Sequence, residues 1–288
     1  MRSGYKENIR NSQAIWLHMA RVKTLCILYF WLVWGCGWLL AIDPTTLPKT
    51  DAELNQWCPE PPAGKNAAVV FMQGTAAKNV PKEDYYNTNL PWLGKAGSPA
   101  IDRPLSLSVS NAIKDFLSRN EAAFNFFRQA AMFKESRYPW DLTRGPDAEL
   151  KHLGGIIVAS KMLALHALGQ ADRSDGEKAA EGLMIHFALV ESLESEPILV
   201  SQAVRAESVP YLLFALTQVL NRVAMPAESL NKIEERLELL EKQEAEGYGF
   251  KRGLVGARVL IRDFFDMPAE KAAAWLQDNP IPEITFIY

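Results

Sequence analysis

The sequence predicts an all-α fold: an antiparallel helix-hairpin array preceded by one transmembrane helix. Three observations predict it. No segment longer than a few residues shows the two-residue alternation of a strand, while apolar residues recur at helical spacing along most of the chain. The stretch from Asp147 to Arg222 divides into three apolar helices with short connections. From Thr24 to Ile42 there is no charged residue, and nineteen uncharged residues in a helix reach roughly 28 Å, close to the thickness of a bilayer core.

The chain has 288 residues, of which 48% are hydrophobic and 23% charged, as in an ordinary globular protein. Its net charge of −3 is unevenly divided. Arg2, Lys6, Arg10, Arg21 and Lys23 against Glu7 leave the first 42 residues at +4 and the rest at −7. An acidic body argues against nucleic acid, whose phosphates call for clustered Lys and Arg.

In order, residues 1–23 read as a basic cytoplasmic N-terminus and 24–42 as a membrane anchor. Lys23 on one side and Asp43 on the other orient it, so the positive-inside rule places the remainder in the periplasm or its equivalent. The rival reading is a cleaved signal peptide, with Met19 as an alternative start. Leu39-Leu40-Ala41 is a poor cleavage site because Leu occupies the −3 position, and Trp34 spoils a lipobox at Cys36. Residues 43–65 carry Pro44, Pro48, Pro59, Pro61 and Pro62 and read as an extended linker.

Residues 66–288 form the predicted helical body. Asn66 caps a short helix through Ala76, and Val80 to Pro104 is an irregular loop with Tyr85, Tyr86 and Trp92. Helices follow over about Leu105–Leu117 and Asn120–Phe133. Gly145-Pro146-Asp147 opens the first central helix, with two apolar stripes and Gly169 as its left-handed cap. Ser174 and Glu177 form a capping box for the second. The third runs from about Pro197 to Arg222, with Leu199, Ala203, Ala206, Leu213, Leu216 and Leu220 as its apolar face and a kink expected near Val209, ahead of Pro210. Leu230, Ile233, Leu237 and Leu240 make one clean stripe on a surface helix that Gly247 ends. A further helix passes through Leu254 to Phe265, and Pro268 starts a last short one before an apolar tail.

The segment Leu163 to Leu189 resembles a degenerate tetratricopeptide unit. Gly169 stands at the turn, and Ala179 or Ala180 and Phe187 stand in the second helix. The turn is longer than in that family, and its usual Trp and Leu-Gly pair are missing. The chain as a whole resembles uncharacterised bacterial proteins with an N-terminal anchor and a tetratricopeptide-like helical body, a resemblance that implies an α-hairpin array but no known activity.

The residues needed for familiar chemistries do not assemble. His152 and His166 are too far apart on one helix to share a metal, His186 lies among apolar residues, and no His-Glu-x-x-His occurs. Asp172, Asp175 and Gly176 fail as a calcium loop because Arg173 and Gly182 fall at ligand positions. No phosphate loop, dinucleotide fingerprint or Gly-x-Ser-x-Gly is present. No catalytic residue, metal site or cofactor is assigned. Cys58 reads as a free thiol near the linker. Glu191, Glu194 and Glu196 gather near a helix end, and Arg205 and Glu207 suggest a buried pair. Arg137, Tyr138, Trp140 and Asp141 form the candidate binding cluster, since Tyr, Trp and Arg are enriched at interfaces. The expected function is a membrane-anchored interaction or scaffold module of the cell envelope, binding a protein or peptide partner. The alternative is a hydrolase-type enzyme with carboxylates in a helical cavity.

Overall fold

A computed structural model gives the fold over residues 47–140 and 150–265, with backbone alone for Asp51 and residues 260–265. The N-terminus 1–23, the anchor 24–42, Asp141, the Gly145-Pro146-Asp147 helix start and the tail beyond Phe265 lie outside the described residues. Among the described residues the protein is all-helical, with two isolated bridges and no strand.

The helices are α1 (Asp51–Trp57), α2 (Ala67–Ala77), α3 (Leu107–Arg119), α4 (Glu121–Ala130), α5 (His152–Asp172), α6 (Gly176–Glu191), α7 (Leu199–Arg222), α8 (Ala227–Ala245) and α9 (Tyr248–Phe265). Helix α1 corrects the expectation of a wholly extended linker. Thr50 caps it by accepting the Glu53 N–H at 3.2 Å, and Leu54 is fully buried. Its packing against Ile198, Val255 and Val259 fixes a helix that seven residues could not sustain alone.

Helix α5 is the hub, packing on α2, α3, α6 and α7. Leu153, Ile156, Ala159, Leu163 and Leu168 are buried, as both stripes require. Among the described residues α5 is the one helix long and apolar enough to cross a membrane, yet 72% of its most apolar window is buried in the fold, so protein covers it. One core lies on its α2–α3–α4 side, around Phe71, Phe116 and Phe127, and a second lies among α5, α6, α7 and α8.

Gly169 is not a cap. The helix runs on to Asp172, and a Cβ at Gly169 would come within 2.9 Å of the Ile113 and Leu117 methyls, so the glycine serves the close approach of α3. The left-handed position falls on Ser174, with φ 60°, and Asp175 caps α6 by accepting the Lys178 N–H at 3.0 Å. The capping residue is therefore one place later than Ser174. Helix α7 starts at Leu199 and continues past Pro210 to Arg222. Its first turns correct the expected apolar face: Leu199 and Ala203 are exposed, while Ser201, Gln202, Arg205 and Ser208 are buried. Helix α8 follows its stripe, with Leu230, Ile233, Leu237 and Leu240 buried.

Candidate functional site

The segment Glu135–Trp140 is a strap between the start of α2 and the α6–α7 connection. Glu135 C=O accepts from Ala67 N–H at 2.9 Å, and Arg137 N–H donates to Asn66 Oδ1 at 3.0 Å. On the other side Ser136 C=O accepts from Ser195 Oγ at 2.7 Å, and Tyr138 N–H donates to Glu196 Oε1 at 3.0 Å. Alternation of an extended backbone puts odd residues toward the start of α2 and even ones toward the α6–α7 connection.

Three of the four predicted binding residues lie in this strap. Arg137 and Tyr138 are buried and Trp140 is half-buried. Tyr138 stacks on His152, with centroids 4.5 Å apart and planes 10° off parallel, and its hydroxyl pairs with Ser192 Oγ at 2.8 Å. The Arg137 guanidinium lies 4.3 Å from the Trp140 ring centroid and donates to Asn55 Oδ1 on α1. These three side chains tie α1, α5 and the α6–α7 connection together, and the Tyr138 ring faces protein rather than solvent.

Behind the strap lies Glu196, fully buried. Its carboxyl accepts from Tyr138 N–H and, at 3.5 Å, from Ser201 Oγ, and forms no ion pair among the described residues. Desolvation pushes it up to about 7, against the pull of Tyr138 N–H, Arg137, Ser201 and Arg252. Gln202 Nε2 holds the same connection by donating to the carbonyls of Leu193 (2.8 Å) and Glu196 (2.7 Å).

In front of the strap a cleft of about 870 Å³ opens to solvent. Five separate stretches line it. The Trp57–Pro62 segment forms one wall with Pro59, Pro61 and Pro62, and residues 131–136 form another. The end of α6, the middle of α8 and the start of α9 add Glu191, Arg236, Leu239, Tyr248 and Arg252. Trp57, Met132 and Leu239 stand exposed on its rim, Met132 by 81%. Arg252 stacks over Trp57 at 4.2 Å, and its Nε donates to Ser195 C=O at 2.7 Å. Cys58 is a buried free thiol donating to the same carbonyl at 3.3 Å; burial pushes it above its ordinary value, which keeps it protonated.

Of the predicted carboxylates, Glu191 lines the cleft, paired with Arg236. Burial raises it despite that guanidinium. The expected Arg205–Glu207 pair does not form. Glu207 is exposed, and Arg205 instead reaches Glu244 at 2.9 Å and Gln243 at 2.7 Å on α8. Residues two apart on a helix point away from each other, whereas α8 brings a carboxylate to the buried side. The three described histidines are core residues. His186 Nε2 meets Ser160 Oγ at 2.7 Å, while Ser160 Oγ also lies 3.2 Å from Ser208 C=O. One hydroxyl proton cannot serve both. With the serine donating to the carbonyl, His186 carries its proton on Nε2 and leaves Nδ1 as the unpartnered acceptor. No group of three or more metal-ligating side chains gathers among the described residues.

Sequence reasoning missed the cleft. Its lining comes from segments far apart in the chain, and Trp57, Met132, Leu239, Arg236 and Arg252 carry no shared periodicity or motif. Comparisons with protein-family models, curated proteins and solved structures find no match for this chain.

Proposed function

We propose that this protein is a membrane-anchored interaction module whose cleft receives a segment of a protein partner. The anchor is residues 24–42, the N-terminus is cytoplasmic, and the helical body, a tetratricopeptide-like hairpin array, faces the periplasm or its equivalent. The observation that carries the reading is the apolar rim of the cleft. Trp57, Met132 and Leu239 come from three separate segments and converge, exposed, on one concave surface. Exposed apolar side chains gathered on a concave surface mark interaction sites more often than scattered ones do. The proline-rich wall favours a preformed groove, since Pro59, Pro61 and Pro62 restrict its backbone.

A photoreactive residue replacing Met132 or Leu239 in the intact protein, in its own membranes, tests this. A defined polypeptide adduct from both positions, and none from Leu107, exposed at the start of α3 and outside the cleft lining, is the expected outcome. Equal labelling from all three positions would remove the cleft as the binding site.

One observation favours the hydrolase alternative: Glu191 is a carboxylate held above its ordinary range on the cleft wall. Its pairing with Arg236 argues against a free general base. Should hydrolytic turnover be found, this alternative requires Glu191→Gln to abolish it; unchanged turnover would sink it.

A further inference from the structure

We propose that Glu196 is a proton-operated latch on the strap that backs the cleft: neutral, it favours the closed strap, and ionised, it favours release of residues 136–140. The proposal stands on geometry and holds whether or not a partner occupies the cleft. Glu196 is completely enclosed, forms no ion pair among the described residues, and receives one firm and one long hydrogen bond. A carboxylate so placed cannot be hydrated without moving the strap, because Tyr138, also fully buried, closes over it. Burial of an unpaired charge is costly, whereas release of the strap gives the charge to water.

The groups facing Glu196 come from each element around it. Arg137 and Tyr138 belong to the strap, Cys58 to the end of α1, Ser201 to α7 and Arg252 to α9. Both guanidiniums are already engaged, Arg137 with Asn55 and the Trp140 ring, and Arg252 with Ser195 C=O and the Trp57 ring. Neither reaches the carboxyl within ion-pair distance. One further titratable group is uncovered when Tyr138 lifts: His152, stacked beneath its ring and kept neutral by burial. It acts in the opposite sense, taking up a proton in the open form as pH falls below 6.5.

The linkage then has a definite window. An exposed glutamate ionises near 4.5, and Glu196 in the closed strap near 7. Between these values opening becomes easier as pH rises, by up to about tenfold per pH unit, and levels off above. Hydrogen exchange followed by mass spectrometry on the full-length chain tests this, reading a peptide that spans Ser136–Trp140 from pH 5 to 8. The quantity to follow is the ratio of opening in the wild type to opening in Glu196→Gln, in which the His152 contribution cancels. A ratio that climbs at least tenfold between pH 5 and 7, while peptides from the middle of α5 stay level, is the expected result. A flat ratio would overturn the latch. Should Glu196→Gln not fold, the infrared carbonyl band of the wild type decides. A buried carboxyl still protonated at pH 6, and retained in Glu191→Gln, supports the latch, and its absence overturns it.

Discussion

Among the described residues Arg205 is the largest fully buried side chain, and its charge is paired with Glu244, with Gln243 as a further acceptor. Removing one member of a buried pair strands the other, so Arg205→Met is expected to cost about 3–5 kcal/mol. Arg205→Met combined with Glu244→Leu is expected to recover much of that loss, which chemical denaturation of the two variants would measure. A double variant no more stable than the single one would mean that the pair is not the source of the cost. The composition of α7 explains why this residue was only half legible. An Arg among apolar neighbours signals burial, but its partner is chosen by α8, 39 residues on, and no local pattern points there. The same reasoning applies to Tyr138. An aromatic beside an Arg and a Trp carries the signature of an interface, and that signature is equally the signature of a buried plug, because both bury aromatic area with one polar handle. Its contacts with His152, Ser192 and Glu196 settle the geometry here.

Helices with a repeating apolar stripe were legible to within a few residues: α5, α6 and α8 follow their stripes. Their ends were less so. Gly169 and Ser174 fit the pattern of a terminus, but α3 requires the first to be small inside the helix, and the chain turns at the second. Helix α1 was hidden because its sequence is proline-flanked and its stability comes from packing with α9, not from its own residues. Close approach also makes a prediction. A Cβ at Gly256 on α9 would strike the Pro197 carbonyl, a backbone atom that cannot swing aside. Gly256→Ala is expected to lower stability by about 1–3 kcal/mol despite its better helix propensity. Gly154→Ala, with open space around it, is expected to stabilise α5 by up to about 1 kcal/mol. Thermal unfolding of the two variants checks both signs.

At the scale of the whole molecule, buried titrating groups make stability depend on pH. Desolvation holds His152 and His166 down to about 4 and His186 down to about 3. Above pH 6.5 all three are neutral in the folded and the unfolded chain alike. Below it the unfolded chain takes up protons that the fold refuses, so stability falls as pH drops toward the folded values. Each group contributes up to about 1.4 kcal/mol per pH unit. Glu196 works the other way, holding a proton between 4.5 and about 7 that the unfolded chain has already lost, so its contribution falls as pH rises. Three imidazoles outweigh one carboxyl, so stability is expected to rise with pH from about 4.5 and to level off above about pH 7. Denaturation midpoints that stay level from pH 5 to 7 would show that the imidazoles are hydrated in the fold.

The strap has a mechanical consequence as well. It joins segments far apart in the chain: Asn55 and Asn66 on one side, Ser195 and Glu196 on the other. A pull applied to the chain ahead of α1 would load Arg137–Asn55 and the Cys58–Ser195 contact before it loaded α5, whose contacts lie deeper. Tension would therefore peel α1 and its proline wall from the cleft while both cores stayed folded. A body tethered through that end would register force as a change in the shape of its groove.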